Sequence, residues 1–210
     1  MIVLRGLALS ANGGSIGINF PAGQSLALEN SIINGFQSYG VVMIRTNDTN
    51  VPRMTITNST IRNNLYGVYT SNSGVSVTAG VTIANSSVSR NLSVGINGAD
   101  NTTAAVSDTV LAENNVAVLA SSTASLTPPQ IALERCTISR NGTGLYAGAG
   151  VGQVPHGTIR IAHNLITGND TGVVEAPDGS IQSMTSVGIA TNTIEGNGTD
   201  GTFSGSFAAK

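Results

Sequence analysis

Cleaving a polymer takes an acid and a base at one cleft, and Glu134 and Arg160 come closest to supplying them in this chain. A carboxylate and a guanidinium on neighbouring segments also make a surface ion pair, worth under about 1 kcal/mol. The ion pair is the reading the sequence favours, so no catalytic residue is assigned. Glycoside hydrolysis would need two carboxylates at one cleft, one protonated and one ionised, and no such couple stands out. Tyr69 and Tyr146 are the ligand-binding candidates, as aromatic rings able to stack on a sugar or a partner chain.

Two His and one Cys are too few for a zinc or transition-metal site, so neither metal nor cofactor is expected. Calcium loops built on alternating acids are missing: Asn47-Asp48-Thr49 offers one carboxylate, and Asp170, Glu175 and Asp178 form only a weak candidate. Asp108 near His163 could suggest acid–base work, but Arg135 between them would hold the Asp ionised. Asp108, Arg135 and His163 therefore read as a structural row, as do Arg90, Glu113 and Arg140. His156 falls in a loop with no partner. Gly142–Gly152 is Gly-rich, yet no amphipathic helix follows to cradle a phosphate.

Those residues sit on a repeat. An aliphatic residue is followed three positions later by Asn at Leu9/Asn12, Ile61/Asn64, Val88/Asn91, Leu111/Asn114, Ile138/Asn141, Ile166/Asn169 and Ile194/Asn197, and only Ile33/Phe36 breaks the rule. The steps are 24, 28, 27, 23, 27, 28 and 28 residues, the signature of a stacked solenoid. Apolar residues also recur five and seven positions before the aliphatic one, with polar or small residues between them, which is a strand with one buried face. A further inward column reads Ile18, Val41, Val68, Ile96, Val118, Leu145 and Val173, mostly preceded by Gly. No stretch keeps helical periodicity. The coil is too long for a left-handed hexapeptide helix of about 18 residues per turn. The predicted fold is all-β: a single-stranded right-handed parallel β-helix of about eight coils with Asn-rich turns.

The Asn of each pair is expected to adopt left-handed backbone angles and to hydrogen-bond along the axis. A second ladder is expected three positions before the aliphatic residue, from Asn30, Asn58 and Asn85 through Asp108, Arg135 and His163 to Thr191. N-x-S/T triplets such as Asn58-Ser59-Thr60 read as turn chemistry. The outward stripe Val42, Tyr69, Asn97, Leu119, Tyr146, Val174 is apolar for a solvated face: either loops at 70–80, 120–130 and 147–158 fold over it, or its apolar residues are isolated exceptions, or it is a surface for self-association or glycan binding. Self-association through this stripe or through open coil ends, with Phe203–Phe207 folding over the last coil, is the expected behaviour.

Charged residues are 10% against roughly a quarter in an average domain, the net charge is −2, and the only Lys is Lys210. No basic face exists to displace counterions, so nucleic acid is excluded as a partner. A 40% hydrophobic content argues against disorder. Cys136 is alone, so no intrachain disulfide can form. The run after Met1 is too short for a membrane span and lacks the basic leader of a signal peptide. It begins a coil at once, so residues 1–210 read as one β-helix domain lacking an N-terminal cap or an upstream segment.

The segments Met54–Val68 and Ile131–Leu145 resemble the right-handed parallel β-helix repeat proteins of the pectate-lyase-like superfamily, and Asn192–Gly201 resembles the tail of bacterial members of unassigned activity. The resemblance implies an extracellular or cell-surface setting and enzymes that work on the outer face of the first sheet. The Asn-Thr-Asp, Asp-Asp and Gly-His-Gly motifs of polygalacturonases are absent, and Arg160-Ile161-Ala162 lacks the Lys of Arg-Ile-Lys. The expected function is therefore a non-catalytic scaffold for display or binding of a glycan or a protein. The alternative is a polysaccharide lyase or glycoside hydrolase of the superfamily. Ice binding by Thr55, Thr57 and Thr82 is weaker, because the Thr residues do not persist along the axis.

Overall fold

The computed structural model describes residues 1–46, 51–73, 77–122, 127–148, 157–177, 179–186 and 189–208. Inward aliphatic side chains recurring once per coil, with residues of high strand preference around them, give strands that cannot bury a face alone. Stacking them solves this. Three sheets of parallel strands stack along the axis, and within them equivalent strands of successive coils pair; among the described residues the exception is Ile189–Ala190, which pairs antiparallel with Ser180–Ser186. Every coil contributes one strand to each sheet in the order first, second, third. The first rung is Ile2–Arg5, Ala8–Ser10 and Ile16–Asn19; the third is Arg53–Thr57, Thr60–Arg62 and Tyr66–Asn72. Among the described residues the second sheet has eight strands and the third has seven, which gives eight rungs, seven of them with all three strands.

The repeat aliphatics form the spine of the core. Ile33 pairs with Ile61, Ile61 with Val88, Val88 with Leu111, Leu111 with Ile138 and Ile138 with Ile166. All six are fully buried, each worth about 1.5–3 kcal/mol relative to exposure. The columns Leu28, Ile56, Ile83, Val106, Leu133, Ile161 and Val41, Val68, Ile96, Val118, Leu145, Val173 close the core from the other two sheets.

Two short corners shape each coil, and both depart from expectation in the same way. Left-handed angles fall one residue before the ladder. At the second corner they belong to Asn63, Arg90, Glu113 and Arg140, with Gly35, Gly168 and Gly196 on other rungs. The ladder residue after each turns its side chain under the sheet. At the first corner Asn30, Asn58, Asn85, Asp108, Arg135 and His163 are left-handed, so the expected ladder there is in fact the bend. The true ladder is the next residue: Ser31, Ser59, Ser86, Thr109, Cys136 and Asn164, all buried. Asn, Asp and His tolerate this backbone region; Arg and Glu hold it where the surrounding stack dictates it.

The glycines before the third inward column do not serve a bend. A Cβ on Gly67 would sit 2.5 Å from the Gly95 carbonyl oxygen and 2.9 Å from Asn91 Nδ2. They are there for close approach of adjacent rungs and of the Asn ladder.

The last rung also differs. Its first-sheet strand is Ser180–Ser186, with Ile181 opposite Ile159 and Ser183 opposite Ile161, so the repeat spacing stretches here, and Ile189 pairs antiparallel with Ser186 instead. Gly205–Ala208 adds a further parallel strand beside it, with Phe207 opposite Met184. The C-terminal segment extends the sheet rather than plugging the coil.

Candidate functional site

Outward residues of the first sheet form a trough. Its lining is Arg53 and Thr55 on the third rung, Gly80, Val81 and Thr82 on the fourth, and Thr103 and Ala105 on the fifth, around a volume of about 250 Å³. The strand register puts all of these but the inward Val81 on one face: Arg53 pairs with Gly80 and Gly80 with Thr103, while Thr55 pairs with Thr82 and Thr82 with Ala105. Missing side-chain bulk at Gly80 and Ala105 makes the hollow, and the Thr hydroxyls line it. Beyond it, Ala132 continues the floor to Arg160 on the seventh rung. At about 4.8 Å per rung, the two guanidinium-bearing positions stand roughly 19 Å apart along the axis.

The outer face of the third sheet is different. Tyr39 and Tyr66 stack with ring centroids 5.4 Å apart, and Tyr69 packs on both at 5.3 and 5.8 Å. Burial pushes the Tyr69 phenol above its ordinary range, and Tyr39 and Asp100 push it the same way. Tyr146 lies three rungs away, along Tyr69–Asn97–Leu119–Tyr146. The structure therefore puts Tyr69 and Tyr146 on one stripe, but not in one cluster. Tyr39 and Tyr66 escaped sequence reading because they belong to a second outward column, preceded by Ile16 and followed by Val94 and Val116.

A model of the right-handed β-helix region matches residues 16–197. The chain belongs to the right-handed β-helix family. A sequence search of curated proteins finds no match. Among solved structures, the crystal structure of pectate lyase Pel9A resembles this β-helix protein with a TM-score of 0.56 at 15% identity. The likeness covers 92% of this chain and 62% of that one, so the present β-helix spans less than two thirds of the pectate lyase chain.

Glu134 and Arg160 do not meet in this β-helix. Glu134 is in register with Ala162, and Arg160 with Ala132. Arg160 instead donates to Gln182 Oε1 and Gln130 Oε1, both at 3.1 Å. Glu134 pairs with Arg135 next to it. The expected pair fails because adjacency in rung number did not carry adjacency along the strand.

The two charged rows form, with one exception. Glu113 accepts from Arg90 at 2.6 Å and from Arg140 at 3.1 Å. Asp108 receives Arg135 through two nitrogens, at 2.8 and 3.0 Å. His163 joins its row only by its backbone amide, donated to Thr191 Oγ1 at 3.4 Å. The Arg90 hydrogen bond holds the Glu113 carboxyl below the usual range, and Arg135 does the same for Asp108.

Glu175 Oε1 accepts the backbone amides of Ile181 and Ser204, which commits that carboxylate to the C-terminal strap. No cluster of three or more metal-ligating acids, His or Cys occurs among the described residues. His156, Asp48 and Asp178 lie outside them. Cys136 is buried, and burial raises its thiol to about 11. It stands in the first-corner ladder, its thiol directed at the Glu134 carbonyl at 3.4 Å. That is a packed, protonated thiol, not a nucleophile. No helix of the described residues is long and apolar enough to cross a membrane.

Proposed function

We propose that this β-helix is a non-catalytic scaffold that binds an extended glycan along the outer face of its first sheet. The observation that carries the reading is the lining of the trough: one guanidinium, three Thr side chains and a floor of Gly and Ala. Those groups donate and accept hydrogen bonds to a chain of hydroxyls, and the flat small-residue floor lets a polymer lie along the axis. None of the lining residues is a carboxylate, and the acids of the ion-paired rows are engaged by Arg. Binding without bond cleavage is what such a lining supports.

A second reading, a polysaccharide lyase or hydrolase, draws support from the likeness to a pectate lyase and from Arg160 on the same face. Affinity electrophoresis through neutral and acidic polysaccharides, with and without calcium, separates the two. Retardation that weakens at least about tenfold in Arg53→Ala, with no new reducing ends and no unsaturated product, is the expected result. Product that forms with the native protein and disappears in Glu134→Ala would replace the scaffold reading with the enzymatic one.

A further inference from the structure

The third sheet carries a pattern that glycan binding on the first does not use. Its two outward columns are Ile16, Tyr39, Tyr66, Val94, Val116, Thr143, Thr171 and Asn19, Val42, Tyr69, Asn97, Leu119, Tyr146, Val174. Neither contains an Asp, Glu, Lys or Arg. By contrast the first sheet's outer face carries Arg5, Glu29, Arg53, Glu134 and Arg160. From the second to the seventh rung, the second column is nearly the same read in either direction. Val42 and Val174 are at its ends, Tyr69 and Tyr146 are next, and Asn97 and Leu119 are in the middle.

We propose that this face is a two-fold contact between copies of the chain, with the two helix axes antiparallel. A two-fold axis lying in the contact plane, along the strand direction and between the fourth and fifth rungs, keeps each column opposite itself and reverses the rung order. Tyr69 then faces Tyr146 of the second copy, while the buried Val42 and Val94 lie beneath the contact, opposite Val174 and Val116. Each contact occurs twice, as an isologous interface requires. A self-complementary face brings like residues near one another, which is costly when they are charged; these columns contain no charged side chain. Val42, Val94 and Asn97 are 2%, 4% and 6% exposed and form the floor, while half-buried Tyr39, Tyr69, Leu119, Tyr146 and Val174 stand at the surface. Six rungs at about 4.8 Å by five residues at about 3.3 Å give roughly 480 Å² of projected face. Rings standing above it bring the accessible area toward the roughly 800 Å² per partner of a specific interface.

Sedimentation equilibrium over a concentration series tests the proposal. The native protein should show twice the monomer mass, and Tyr69→Glu or Tyr146→Glu should raise the dissociation constant about 100-fold by burying a carboxylate in the contact. Leu165→Glu, on the second sheet, should leave it unchanged. The geometry is tested by thiol cross-linking with a short bismaleimide. Tyr69→Cys protein mixed with Tyr146→Cys protein should give covalent dimer, and Tyr69→Cys protein alone should give little. A native monomer at all concentrations, a dimer indifferent to both Glu variants, or efficient cross-linking of Tyr69→Cys with itself would each overturn the antiparallel contact.

Discussion

The two corners of the coil solve one problem with different chemistry. Each must satisfy a backbone N–H buried beneath the bend, an orphan that would cost about 1–3 kcal/mol unpaired. On the early rungs of the first corner, before Asn164 and Asn192 take over with amides, a hydroxyl does it: Ser59 Oγ accepts from Ser31 N at 3.1 Å and donates to Thr57 O at 2.8 Å. Ser86 repeats this for Ser59. One hydroxyl links the previous rung to its own strand and stops there. At the second corner Asn114 Oδ1 accepts both N and Nδ2 of Asn91, at 3.0 and 2.9 Å. Its own Nδ2 donates back to Val88 O and onward to Asn141 Oδ1. An amide therefore ties three rungs where a hydroxyl ties two. Two-ended side chains make a continuous row; one-ended side chains make isolated staples.

That contrast predicts an order of damage. Asn114→Leu removes the acceptor of two donors and the donor to two acceptors, all buried, and should cost about 3 kcal/mol in urea unfolding. If it costs no more than Ser86→Ala, the continuous row has no special weight. Ser86→Ala strands only Ser59 N and should cost about 1–2 kcal/mol by the same measurement. A value near zero would mean that the hydroxyl staple is dispensable. Asp200→Ala removes the acceptor of Asn197 N and Nδ2 at the end of the row. Water reaches that exposed end, so about 1 kcal/mol or less is expected.

The smallest effect lies outside both ladders, in the exposed rows above the corners. Glu113 and Asp108 have folded-state pKa values depressed by Arg90 and Arg135. Their contribution is present above the unfolded values, about 4 for carboxylates, and is lost as pH falls through the lower folded values. Both are solvent-exposed, so urea midpoints should drop only slightly below about pH 4. The Glu113→Gln, Asp108→Asn double variant should flatten that drop. An unchanged pH profile in the variant would assign the acid sensitivity elsewhere.

The Asn corner was legible in the sequence and the hydroxyl corner was not, for a physical reason. One residue type, repeated at Asn64, Asn91, Asn114, Asn141, Asn169 and Asn197, announces itself. Ser31, Ser59, Ser86, Thr109, Cys136 and Asn164 share a position beneath the bend rather than a chemistry. The more conspicuous Asn30, Asn58 and Asn85 beside them are selected for backbone angle. The period and the inward columns were readable because burial admits few residue types. The candidate site was read less well. The trough exists because Gly80 and Ala105 lack bulk, and an absence of side chain carries no motif. The register that separates Glu134 from Arg160 is set by backbone pairing, to which outward residues contribute little.

The amide row also has a direction. Each rung's N–H is received by the rung that follows, from Phe36 N on Asn64 through Asn169 N on Asn197. During synthesis from the N-terminus, a bend therefore stays unfinished until roughly another coil has left the ribosome. Among the described residues Asn197 alone finds its acceptor three residues downstream, in Asp200, so that bend can be locked before a further coil is made.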